Sequence, residues 1–113
     1  MPFDGLPAGM SEDLARLRTA LAGISNPTGW RRGGIGFGKD TPHCAIGWLL
    51  AATDNDVDAT TRLALKYVYP SLPPRAQKQD KMASIWTYND ASHSQTRMVK
   101  LFGDAVKLAE QAA

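Results

Sequence analysis

Hydrophobic positions recur at helical spacing in four or five stretches of this chain, separated by segments rich in proline and glycine. The last stretch is the cleanest. Met98, Leu101, Phe102, Ala105, Leu108 and Ala109 fall on one side of a helix, with Lys100, Asp104, Lys107 and Gln111 opposite. Ser92-His93-Ser94-Gln95 fits the S-x-x-Q capping box and sets the expected start of that helix. Near the other end, Leu14, Leu17 and Leu21 repeat with the same period. Ser11 is placed to cap this first helix, Glu12 and Asp13 suit its positive end, and Gly23 is the expected stop.

Between these lie three further elements. Cys44-Ala45-Ile46-Gly47-Trp48-Leu49-Leu50-Ala51-Ala52 is apolar at nearly every position, which predicts a buried central helix opening near Pro42 and ending at Thr53-Asp54-Asn55-Asp56. A third helix is expected from about Val57 to Tyr69, with Val57, Thr61, Ala64 and Val68 inward, Leu65 beside them, and Pro70 as the stop. Leu72-Pro73-Pro74 is a rigid turn. Pro74 can open the fourth helix, which carries Met82, Ile85 and Trp86 inward.

The segment from Ser25 to Pro42 breaks this pattern. Five glycines fall between Gly29 and Gly38, and Ile35 and Phe37 alternate with them, which permits a short hairpin but no long strand. Some eighteen residues without a helix are too many for a simple connector, so this loop is expected to cover the core or carry a site. The expected architecture is a single all-α domain of four to five helices over residues 11–113. A flexible arm of residues 1–10 precedes it, and the Gly-rich loop joins helices one and two.

Composition narrows the function more by exclusion than by assignment. A chain of 113 residues fits one domain and buries enough surface for a core without staples. Thirteen basic against eleven acidic side chains leave a formal charge of +2, too small for a dedicated nucleic-acid binder. One cysteine forms no internal disulfide. The N-terminus lacks the charged start and apolar run of a signal peptide, and no window reaches the ~20 apolar residues of a membrane span. A cytoplasmic protein without membrane association is expected.

Several residues invite chemistry. Gly33 to Thr41 nearly matches the phosphate-binding pattern G-x-x-x-x-G-K-[ST], but Asp40 stands where a hydroxyl would hold magnesium, and no apolar strand precedes Gly33. The segment therefore reads as a surface loop, with anion binding by Arg31, Arg32 and Lys39 a milder alternative. Cys44 near a helix start, with His93 and Asn89 as base and orienting group, outlines a cysteine-dependent enzyme. Packing between helices is the expected role of a lone cysteine, and His43, adjacent on the chain, points about 100° away. Two histidines and one cysteine at no ligand spacing predict neither a metal nor a cofactor. Trp48 and Trp86 are expected to meet in the core, with Asn89 and Asp90 accepting indole N–H bonds or capping the turn that follows.

The succession Gly29-Trp30, a Gly-rich gap, Cys44-Ala45-x-Gly47-x-Leu49, and Trp86-x-x-Asn89-Asp90 before an amphipathic helix resembles a family of short bacterial and phage proteins of unknown function. The resemblance spans roughly Leu14 to Ala109. It implies the helical fold and a structural centre at Cys44, Trp48, Trp86, Asn89 and Asp90, and supplies no activity. The family form has tryptophan directly before Asn-Asp. Here Thr87 and Tyr88 intervene, which leaves Tyr88 at the family tryptophan's place.

The expected function is non-enzymatic recognition of a protein partner, with the rim formed by Trp30, Arg31, Arg32, Phe37, Lys39 and Asp40 as the binding surface. A sharper form is a phage-derived inhibitor of a bacterial defence system, of the anti-CRISPR type, suggested by size and the phage resemblance. A homodimer through the tryptophans, Tyr67 or Tyr69 is an alternative. So is weak nucleic-acid binding through Arg31, Arg32, Lys39, Arg97 and Lys100.

Overall fold

The structure is a computed structural model that describes residues 8–26, 29–30, 44–92 and 94–112. The expectations for the N-terminal arm before Ala8, for the Gly-rich loop with Arg31, Arg32, Phe37, Lys39 and Asp40, and for His43 and His93 lie outside these residues. Among the described residues five α-helices carry the fold: α1 (Ala8–Ser25), α2 (Ala45–Ala52), α3 (Val57–Leu63), α4 (Lys81–Ala91) and α5 (Gln95–Ala112). The all-α architecture expected from the hydrophobic periodicity is the one observed.

α1 and α5 are the long elements and pack along each other, with α2 laid against α1. Leu17, Ala20 and Ile24 of α1 meet Met98, Phe102, Ala105 and Ala109 of α5 in one apolar cluster that also takes in Leu49 and Leu63. α1 begins at Ala8 rather than at Ser11. Ala8, Gly9 and Met10 contain nothing that forbids a helix, and Pro7 is the nearest residue that could not sit in its interior. Gly23 does not stop α1, which runs on to Ser25.

α3 continues without a break into a π turn at Ala64–Val68 and a 3-10 turn at Tyr69–Ser71. Pro70 has no N–H to donate back into the helix, so the chain tightens there, and the Ser71 hydroxyl donates to the Tyr67 carbonyl at 2.7 Å. The inward face differs from the expected one. Ala59, Thr60, Leu63, Ala64, Tyr67 and Val68 are buried, whereas Val57 and Leu65 are exposed and Thr61 is half-buried. Thr60 turns in because its hydroxyl pairs at 2.7 Å with that of Thr53, which also caps the end of α2.

Pro74 opens a separate 3-10 turn, Pro74–Ala76, and not α4. The cap of α4 is Asp80, whose side chain accepts the Ala83 N–H at 3.0 Å. Ile85 is buried and Met82 half-buried, but Trp86 is 49% exposed, contrary to its expected place in the core. The buried side of α4 is instead Ser84, Ile85 and Asn89. The two polar residues turn inward to hydrogen-bond partners, Ser84 with the Lys78 N–H and the Asp80 carbonyl and Asn89 with the Ala45 N–H and the Trp30 indole, and Trp86 is left at the surface.

Candidate functional site

α2 starts without a side-chain cap of its own, since the N-cap residue is Cys44. Its first N–H, that of Ala45, is satisfied from another helix: it donates to the side-chain oxygen of Asn89 at 3.0 Å. The same oxygen accepts the Trp30 indole N–H at 2.8 Å, and the Asn89 amide nitrogen donates to Asp90 at 3.2 Å. Asn89 is fully buried. A single amide therefore joins Trp30, the start of α2 and the end of α4.

Trp48 makes a second clasp on the same side. Its indole N–H donates to the Gly29 carbonyl at 2.6 Å, and its ring lies on Gly23. A Cβ at Gly23 would fall far inside van der Waals contact with three carbons of that ring. This close approach is why a glycine occupies a helix interior, where it costs about 0.5–1 kcal/mol relative to alanine. Gly29 is equally confined, because a Cβ there would run into the Gly23 carbonyl. Trp48 thus packs on α1 and does not meet Trp86.

Gln95 completes the junction. Its amide nitrogen donates to the Ile24 carbonyl at 2.6 Å and to the Asn26 carbonyl, which satisfies the exposed end of α1. The expected capping box is not formed. Ser92 serves as the C-cap of α4, donating its hydroxyl to the Tyr88 carbonyl at 2.6 Å. Nothing local in the sequence marks Gln95 as a clamp on a helix seventy residues away; only the fold brings them together.

A buried charge lies on the far side of α1. Asp13 is 3% exposed and faces the Arg62 guanidinium at 2.6 Å, while the Tyr67 hydroxyl donates to it at 3.2 Å. The hydrogen bond from Arg62 to Asp13 raises the guanidinium above its ordinary range, against a smaller opposing effect of burial. Asp13 was expected only to favour the helix start. Tyr67, considered as a dimer surface, is buried.

Cys44 is 6% exposed and free, at the start of α2. The Asn89 oxygen, the orienting group of the cysteine-enzyme alternative, is occupied by Trp30 and Ala45. Among the described residues no group of histidine, cysteine and carboxylate side chains is placed to hold a metal, and no helix is long and apolar enough to cross a membrane.

The open surface runs along α4 from Asp80 to Ala91. Two clefts of about 400 and 430 Å³ adjoin at Tyr88 and Arg97, which line both. Leu72, Pro73, Pro74 and Leu101 wall the first; Ala76, Ala83 and Ala91 wall the second. Their wall is stiff. The Tyr69 hydroxyl donates to the Lys78 carbonyl at 2.8 Å, Gln77 donates to the Leu72 carbonyl at 2.9 Å, and the Lys78 N–H donates to Ser84 at 3.0 Å. Sequence reasoning singled out Arg97 and Lys100 here but passed over Arg75 and Lys78. No protein-family model matches the chain, and no curated protein or solved structure is similar to it.

Proposed function

We propose that this chain is a non-enzymatic binding protein that recognises a protein partner across the outward side of α4, with Trp86 as the anchor. The observation that carries this reading is the exposure of Trp86, at 49%, on a helix whose next turn is held in the core by Asn89. A tryptophan held at the surface by a rigid helix offers a large contact area at small entropic cost, and tryptophan is enriched among the residues that dominate interfaces. Support for binding over catalysis comes from the groups singled out for cysteine chemistry. Cys44 is buried, and Asn89 is engaged in holding helices together.

The test is affinity capture from a lysate of the source organism with the wild-type chain and Trp86→Ala side by side. A partner retained by the first and lost by the second is the expected result. No partner at moderate salt, or a set of partners unchanged by Trp86→Ala, would overturn the reading. Light scattering on the 12.2 kDa chain alone supplies a second arm. A dimer mass that Trp86→Ala abolishes would identify the partner as a second copy.

A further inference from the structure

The paired clefts at Tyr88 and Arg97 combine an apolar floor with an unbalanced charge. Four cations line them, Arg75, Lys78, Arg97 and Lys100, against two carboxylates, Asp80 and Asp104. Both carboxylates are already engaged. Asp80 caps α4, and Asp104 holds Lys100 at 2.8 Å. Arg75, Lys78 and Arg97 make no ion pair among the described residues. The Tyr88 hydroxyl, between the clefts, makes no hydrogen bond among them either.

Three unpaired cations and a phenol around an apolar floor are complementary to a chain that alternates carboxylates with apolar side chains. Each volume falls in the range of about 300–1,000 Å³ typical of ligand pockets. Prolines and side-chain hydrogen bonds fix the wall beforehand, which lowers the entropy lost when a ligand binds. A nucleic acid fits less well. The cations surround alanine, proline and leucine rather than forming a stripe, and two carboxylates lie among them.

We propose that these clefts bind an acidic peptide segment, its carboxylates on Arg75, Lys78 and Arg97 and its apolar side chains against Tyr88, Leu72 and the alanines. The inference rests on the reading of the chain as a protein-recognition module and names the chemistry of the segment recognised. It uses a different face of α4 from Trp86, so the two can fail separately.

Panning a library of short random peptides over the immobilised full chain tests it. The expected outcome is enrichment of peptides that mix Asp or Glu with apolar residues. A labelled peptide from that set should bind Arg97→Glu roughly tenfold more weakly, and should weaken likewise as salt is raised and charges are screened. Arg97 is exposed in the first turn of α5, where an acid suits the helix dipole, so Arg97→Glu should keep its fold; circular dichroism checks this. Lys107→Glu, the same charge change on an exposed position outside both clefts, controls for net charge and should bind as the wild type does. The proposal falls if no peptides enrich, if those that do lack acidic residues, or if Arg97→Glu binds unchanged. It also falls if a labelled random single-stranded oligonucleotide binds more tightly than the selected peptides and displaces them. Failed selection with the Trp86-dependent partner intact removes the cleft proposal alone. Loss of that partner, with acidic peptides still held through Arg97, removes the Trp86 anchor alone.

Discussion

The Trp30 indole N–H reaches the side-chain oxygen of Asn89, 59 residues further along the chain, at 2.8 Å. Because that oxygen also accepts the first N–H of α2, Asn89 ties Trp30 to the start of α2. Asn89→Ala leaves two donors without their acceptor and should lower stability by about 2–6 kcal/mol, at about 1–3 kcal/mol for each unsatisfied buried group. Trp30→Phe, which removes only one donor, should cost less. Urea unfolding followed by circular dichroism measures both. An Asn89→Ala midpoint close to that of the wild type would show that the amide does not tie these segments.

The seat of Trp48 on Gly23 makes an alanine harmful in a helix that would otherwise welcome it. Propensity alone predicts that Gly23→Ala stabilises α1 by about 1 kcal/mol. The clash with the Trp48 ring reverses the sign, at a typical cost of 1–3 kcal/mol for an overpacked site. Gly23→Ala should therefore melt below the wild type and shift the tryptophan fluorescence. A variant that melts higher would mean the ring does not rest there.

Gln95 separates a local reading from a tertiary one. Were it the last residue of a capping box, Gln95→Glu would be neutral, since either side chain serves. As a donor to the Ile24 and Asn26 carbonyls it has a role that glutamate cannot fill. A carboxylate at the negative end of α1 would add repulsion. Gln95→Glu should be the more damaging variant, with Gln95→Ala losing about 1 kcal/mol. Denaturation of the two side by side decides it, and equal stability of Gln95→Glu and wild type would restore the capping box.

The sequence was most legible where hydrophobic period alone decides the outcome. The α5 stripe, the apolar α2 and the all-α class follow from it, since a side chain every 3.6 residues must face something apolar. It was least legible where a polar group turns inward for a distant partner. Asn89 and Ser84 turn inward beside Ile85 and leave Trp86, expected on that face, outside, and Thr60 displaces the expected inward face of α3 likewise. Gly23 read as a stop because its neighbour Trp48 lies twenty-five residues away. The clefts combine three elements and left no local signature beyond Arg97 and Lys100.

The pair of Asp13 and Arg62 should matter more than a surface ion pair and less than a fully buried one. Asp13 is 3% exposed but Arg62 is 46% exposed, so water screens one end. Arg62→Ala strands a buried carboxylate and should cost about 1–3 kcal/mol, discounted for that screening. Asp13 raises the guanidinium pKa above its ordinary value. A cation raised on folding contributes stability that is complete below its unfolded value and is lost only as pH rises through the folded one. The gap between wild type and Arg62→Ala should thus stay flat from neutral to mildly alkaline pH. Urea midpoints across that range check it; a gap that closes there would place the stabilisation elsewhere.

Trp86 gives the sharpest separation between folding and recognition. Had it packed against Trp48 in the core, truncation to alanine would cost about 3–5 kcal/mol, as for other buried large side chains. At 49% exposure it contributes little to the core, while Ile85 beside it is wholly buried. Trp86→Ala should therefore lose under about 1 kcal/mol, within the range of surface substitutions. Ile85→Ala should lose about 2–5 kcal/mol. Fluorescence of the native chain supplies a second readout. Trp86 should be quenched by iodide, to which the Trp48 ring over Gly23 is less accessible, and the Trp86→Ala variant should lose the quenchable fraction. If Trp86→Ala unfolds as readily as Ile85→Ala, the tryptophan belongs to the core and the recognition reading loses its anchor. If the variant folds as the wild type does but no longer retains its partner, the side chain serves the surface it stands on.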